Sequence, residues 1–172
     1  MQKNLRKKII LILAAGIFLL NSGCGFYSHT GASIPPDAKT FSVGYITNTA
    51  SIVSPTLSQT FTERLKTKIL NETQLKLTTG EADFYFKGKI TDYKTAPVAV
   101  QSNSINAVNR LTITVEITFE SRLDEKKNFT ETFSGFADYS ATQNLSSVES
   151  DLIIQVSDLI IQNVFNKTFV NW

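Results

Sequence analysis

Few side chains in this chain could do covalent chemistry, and the one with the most specific use is Cys24, its only cysteine. With no second thiol, neither an internal disulfide nor a dithiol redox pair can form. A thiol directly behind a secretion signal can instead carry lipid. The only imidazole, His29, lies in a run punctuated by Gly25, Gly31, Pro35 and Pro36, where no packed shell would orient it. Glu116 and Glu120 share one strand face two pleats apart, roughly 13 Å by strand rise, too far to act as an acid–base pair on one bond. No His/Cys cluster has metal spacing, and no Gly-rich loop could cradle a phosphate. These residues predict no enzyme, no metal and no cofactor beyond a covalent lipid on Cys24. What remains is recognition. Lys87 and Lys89 share a strand face with Tyr85 and Tyr93, while Lys94 and Arg110 flank a polar connection. Cationic groups pair phosphates, and aromatic rings meet acyl chains or sugars. Lys87, Lys89, Lys94 and Arg110 are therefore the candidate contacts for an anionic amphiphile. The polar face carrying Thr112, Thr114, Thr118, Thr130 and Thr132 equally suits a wet protein interface.

The signal is read from residues 1–23. Lys3, Arg6, Lys7 and Lys8 precede an apolar stretch over residues 9–20, and Asn21-Ser22-Gly23 follows. Basic start, apolar middle and small-residue exit are the parts of a secretory signal. The apolar stretch falls short of the roughly 20 residues that span a bilayer as a helix. Ser22 and Gly23 before Cys24 resemble a bacterial lipobox; Asn21 departs from it, standing where an aliphatic residue is usual. Cleavage before Cys24 removes four basic residues and no acid. The whole chain has 17 Lys+Arg and 15 Asp+Glu, a net +2, so the mature chain has 13 against 15, a net −2. That balance excludes a field-driven role with nucleic acid.

Residues 24–39 read as a lipidated tether, and residues 40–172 as one domain large enough for one core. Residues 40–46 alternate Phe41, Val43 and Tyr45 with small residues, a strand. Ser54-Pro55 opens a helix, Ser54 as cap and Pro55 in the first turn. Leu57, Phe61, Leu65 and Ile69 form its stripe, and Asn71 stops it. Leu75 and Leu77 mark a short strand. Residues 83–93 predict a longer one, with Phe84, Phe86, Gly88 and Ile90 on one face and Tyr85, Lys87, Lys89, Thr91 and Tyr93 on the other. Residues 95–106 read as a loop. Leu111, Ile113, Val115, Ile117 and Phe119 alternate with polar residues, the pattern of a sheet covered on one face. Residues 124–128 turn the chain into a returning strand bearing Phe129, Phe133 and Gly135. A last helix starts at Ser146 or Ser147, with Glu149 closing a capping box, and buries Val148, Leu152, Val156, Leu159, Ile160 and Val164. The order β-α-β-β-β-β-α predicts an α+β fold, a two-layer α/β sandwich. Two amphipathic helices pack on one face of a four- to five-stranded mixed sheet, whose first crossover is right-handed and joins parallel strands.

Over the mature chain these residues resemble a known family. Cys24-Gly25-Phe26-Tyr27-Ser28, the segment from Ile34-Pro35-Pro36 to Val43, Ser54-Pro55 with Leu57-Ser58-Gln59 and Phe61-Thr62-Glu63, Ala82-Asp83 and Asn109-Arg110-Leu111-Thr112-Ile113 are similar to LptE-type lipopolysaccharide-assembly lipoproteins. The resemblance implies an outer-membrane lipoprotein that plugs an LptD-type β-barrel, assists its assembly and helps deliver lipopolysaccharide to the outer leaflet. It implies the two-helix sandwich and no enzyme activity. A second resemblance, carried by Tyr45-Ile46-Thr47-Asn48-Thr49, Ala82-Asp83 and Gly88-Lys89-Ile90, is to LpoB- and CsgG-like lipoproteins. It would imply a regulator of cell-wall synthesis or a secretion component.

Overall fold

The computed structural model describes residues 33–98 and 107–170. The signal, Cys24 and His29, residues 99–106 of the expected loop and Trp172 lie outside the described residues. The elements run β1 (Thr40–Val43), β2 (Thr47–Asn48), α1 (Leu57–Glu72), β3 (Lys76–Leu77), β4 (Phe84–Val98), β5 (Val108–Ser121), a 3-10 turn (Glu125–Lys127), β6 (Phe129–Ser140) and α2 (Leu145–Phe165). A π-helical turn, Asn166–Val170, continues α2.

The sheet order is β3-β1-β4-β5-β6, with β2 pairing β4 beyond the end of β1. β1 is parallel to β3 and to β4, whereas β4, β5 and β6 are antiparallel. The α1 crossover thus joins parallel strands as the sequence predicts. α1 lies over β1, β2 and β3, and α2 over β5 and β6, so both helices cover one face and form an α+β sandwich.

The first predicted strand, residues 40–46, ends as β1 at Val43, and a short sixth strand, β2, follows just beyond it. Val43 pairs Phe86 and Thr47 pairs Lys89, so four steps of one strand face three of the other. The extra residue turns the chain by half a pleat. Tyr45, expected beside Phe41 and Val43, is 62% exposed, and Ile46 is buried instead. The Ile46 N–H donates to Thr62 Oγ1 of α1 (3.1 Å), which holds the break in place.

Both helices start differently from the sequence reading. α1 begins at Leu57, after a turn in which the Leu57 N–H donates to the Ser54 carbonyl, and its cap position, Thr56, makes no side-chain bond. It ends at Glu72, one residue past Asn71. α2 begins at Leu145 without the capping box. Ser147 Oγ bonds the Asn144 carbonyl, and Glu149 is occupied elsewhere, accepting from the Tyr93 hydroxyl at 2.7 Å. Leu159, expected in the buried stripe of α2, is 49% exposed.

β4 is longer than predicted. Thr95, Ala96, Pro97 and Val98, read as loop, pair Leu111, Arg110, Asn109 and Val108. Pro97 is tolerated because, among the described residues, β4 has no neighbour on its other side beyond the short β2, so no ladder bond needs its missing N–H. Gly88 is required where β4 crosses β5: a Cβ there would sit 2.5 Å from the Glu116 carbonyl oxygen and 2.8 Å from Ile117.

The core is aromatic at the end where the chain enters. Phe84, Phe86 and Phe119 meet Phe169 from the π-helical turn. Part of the expected tether is fixed there: the Ser33 N–H donates to the Phe169 carbonyl (2.7 Å), and Ile34 and Ala38 pack against the core.

Candidate interaction face

Strand alternation leaves the sheet face opposite the helices uncovered among the described residues, and that face holds the four predicted cations. On β4 it presents Tyr85, Lys87, Lys89, Asp92 and Lys94; on β5, Arg110, Thr112, Thr114, Glu116, Thr118 and Glu120; on β6, Thr130, Thr132, Ser134, Phe136 and Asp138. Tyr93, predicted to share it, does not. Between Ile90 and Asp92 the β4–β5 register shifts and Thr91 has no opposite residue in the ladder, a β-bulge. A single extra residue exchanges the two faces of everything after it. Tyr93 therefore points into the core at 3% exposure, and burial with the Glu149 carboxylate beside it pushes its phenol far above the usual range. The same bulge puts Asp92 and Lys94 on the outer face.

Each predicted cation stands next to a carboxylate. Lys87 Nζ lies 2.7 Å from Glu120, Lys89 Nζ 3.0 Å from Glu116, and Lys94 Nζ 3.1 Å from Asp92. Arg110 holds Asp138 with both arms of its fork, Nε to Oδ1 at 2.7 Å and Nη2 to Oδ2 at 2.9 Å. That fork holds the Asp138 carboxyl below its ordinary range, and the bond to Glu120 raises the Lys87 ammonium. The Arg110 guanidinium lies 3.7 Å over the Phe136 ring, and Lys87 5.2 Å over Tyr85. Between the charged rungs, Thr114 bonds Ser134 (3.1 Å) and Thr118 bonds Thr130 (2.9 Å). Four cations against four carboxylates make the face neutral, a polar carpet of cross-strand pairs rather than an electropositive patch. An anionic ligand would have to compete with these carboxylates for N–H donors.

A cleft of about 440 Å³ lies between the helices, lined by Glu63, Arg64, Lys68, Asp158 and Gln162. Arg64 forks onto Asp158, and Lys68 reaches Gln162 (2.6 Å) and Glu72 (3.0 Å), so its charged groups tie α1 to α2. No group of three or more metal-ligating side chains occurs among the described residues, and no nucleophile–base pair converges in either place.

Sequence reasoning gave Asp83 no role beyond its place in the Ala82-Asp83 motif. Its Oδ2 accepts the N–H groups of Lys39 and Thr40 (both 2.9 Å) and the Thr40 hydroxyl (2.8 Å), while its own N–H donates to Thr40 Oγ1 (3.1 Å). It clamps the entering chain to β4. Ala82-Asp83 was visible as a motif, but only three-dimensional pairing shows that its partner lies 43 residues earlier.

No helix among the described residues is long and apolar enough to cross a membrane. Residues 38–168 match the model of the family described as LptE, lipopolysaccharide-assembly. A comparison with curated protein sequences gives no match. Among solved structures, the chain is similar to protein CT253 from Chlamydia trachomatis at 9% identity and TM-score 0.51, covering 76% of this chain and 98% of that one. It is similar to a minor lipoprotein from Acinetobacter baumannii at 17% identity and TM-score 0.49, covering 76% and 91%. A further similarity is to the rare lipoprotein B from Shewanella oneidensis at 14% identity and TM-score 0.44, covering 75% and 90%. At these identities the likeness concerns the fold alone.

Proposed function

The chain belongs to the LptE lipopolysaccharide-assembly family, and on that premise we propose that it is an outer-membrane lipoprotein, anchored by lipid on Cys24, that partners an LptD-type β-barrel in moving lipopolysaccharide to the cell surface. The observation that carries this reading, beside the family match over residues 38–168, is the neutral, threonine-rich sheet face. The interior of a wide membrane barrel is polar. A flat face of paired charges and hydroxyls can meet such a wall through hydrogen bonds and bridging water without burying an unpaired charge. The protein acts here by position and contact, not by catalysis. Lys87, Lys89, Lys94 and Arg110 are the groups that would meet lipopolysaccharide phosphates, in competition with their carboxylate partners.

The anchor is tested by fractionation. Cys24→Ala removes the thiol that would carry the acyl chains, each buried methylene of which contributes about 0.8 kcal/mol to membrane retention. The wild-type chain should incorporate radiolabelled palmitate and sediment with outer membranes. The variant should take up no label. Equal labelling of wild type and variant would refute a lipid on Cys24.

A further inference from the structure

We propose that Phe136, Arg110 and Asp138 form a shelf for a pyranose ring, and that at this corner of the open face a neutral core sugar of lipopolysaccharide is held, not a phosphate. The inference rests on the lipopolysaccharide reading above and names the part of that molecule the corner takes. Phe136 is the one phenylalanine on this face of β4, β5 and β6, and it is half exposed. Every other phenylalanine among the described residues is buried or packed against the core. Register brings its companions to it. Phe136 lies opposite Thr112, and one rung further along Arg110 lies opposite Asp138. The Arg110 guanidinium covers one side of the ring at 3.7 Å. The exposure that remains leaves the other side to solvent.

The chemistry of this corner fits a sugar. The face of an aromatic ring is electron-rich. It attracts the weakly positive C–H groups that a pyranose carries on its own faces. The hydroxyls round the sugar's rim need donors and acceptors together, and the Arg110–Asp138 fork supplies both. Two of the five guanidinium N–H groups go to Asp138, which leaves three, and each Asp138 oxygen keeps a further lone pair. Both side chains are partly exposed. A diol can donate to Asp138 and accept from Arg110. A phosphate only accepts, and the carboxylate beside Arg110 repels it. The fork and the stacked ring also hold Arg110 in place before any ligand arrives, which lowers the ordering cost of binding. Further hydroxyls stand on the ring's other flank, at Thr112 and at the Ser134–Thr114 pair.

The test is ligand-observed NMR on the purified lipidated chain, with no barrel present, in an amine-oxide detergent whose head carries neither sugar nor phosphate. The probes are intact lipopolysaccharide, its core oligosaccharide after dephosphorylation, inorganic phosphate and a peptidoglycan disaccharide. The oligosaccharide should bind with a dissociation constant on the order of 1 mM, and salt from about 0.05 to about 0.5 M should not weaken it, because no net charge is paired. Neither phosphate nor the disaccharide should displace it. Phe136→Ala should raise the constant at least about tenfold, and Phe136→Tyr, which keeps the ring, should leave it within about twofold. Asp138→Ala should weaken the sugar and let inorganic phosphate bind, because it frees Arg110. Oligosaccharide binding that survives Phe136→Ala, or lipopolysaccharide binding that is lost on dephosphorylation, overturns the shelf and leaves lipopolysaccharide handling standing. Displacement by the disaccharide, or no binding of intact lipopolysaccharide, overturns both.

Discussion

Replacing Phe169 by alanine should lower the unfolding free energy by about 3–5 kcal/mol, the usual cost of a fully buried phenylalanine. Phe169 is completely buried, with ring centroids 5.8 Å from Phe84, 6.2 Å from Phe86, 6.5 Å from Phe119 and 5.1 Å from Phe165. It reaches that position from a π-helical turn, in which Thr168 Oγ1 bonds the Val164 carbonyl (2.8 Å). The hole left by alanine would open beneath β4 and β5 at once, and rigid strands collapse into it poorly. The carbonyl of the same residue receives the Ser33 N–H, so loosening the turn also loosens the entry of the segment coming from Cys24. Urea unfolding measures the effect. A loss below about 1 kcal/mol would mean that the turn is not part of the core.

Asp83→Ala should cost about 2–4 kcal/mol, because it leaves two N–H groups and a hydroxyl without their charged acceptor. Asp83→Asn, which keeps one acceptor oxygen, should cost less. The three donors favour the carboxylate, led by the Lys39 N–H, and hold its pKa below the ordinary range despite some desolvation. The sign follows. An acid whose folded pKa lies below its unfolded value of about 3.9 stabilises the fold above that pH, and the contribution is lost as pH falls through the folded pKa. The stability gap between wild type and Asp83→Asn should thus be constant from pH 5 to 7 and shrink below about pH 4. A gap that persists undiminished at pH 2 would show that the charge on Asp83 plays no part.

These two residues mark what the sequence could and could not tell. Periodicity revealed β5 from Leu111 to Glu120, short of its ends at Val108 and Ser121, because one side of the strand is buried by helices and the other is bare. It revealed the α1 stripe for the same reason. It failed wherever one residue is inserted without a sequence mark. Tyr45 and Tyr93 both continue an alternating pattern, yet each follows an extra residue that turns it to the opposite face. Leu159 looked buried because stripe reading assumes that a neighbour covers every apolar position. The capping box at Glu149 failed because Tyr93, far away in sequence, competes for the same carboxylate. Lys87 and Lys89 could be placed on one surface from alternation, whereas Lys94 and Arg110 were legible only as flanking the connection, and a bulge sets the face of Lys94. The neutralisation of these cations was not legible, since Lys87–Glu120 and Arg110–Asp138 depend on strand register. That register changes the character of the surface from an anion trap to a neutral carpet suited to a polar wall.

The central claim, partnership with a barrel in lipopolysaccharide assembly, is tested most directly by affinity purification. The chain is tagged after Trp172, extracted from outer membranes in mild detergent, and its companions are identified by mass. The account predicts that a large LptD-type β-barrel protein is recovered in about equal amount with the tagged chain. Recovery of the tagged chain from the same membranes with no large barrel protein would contradict it.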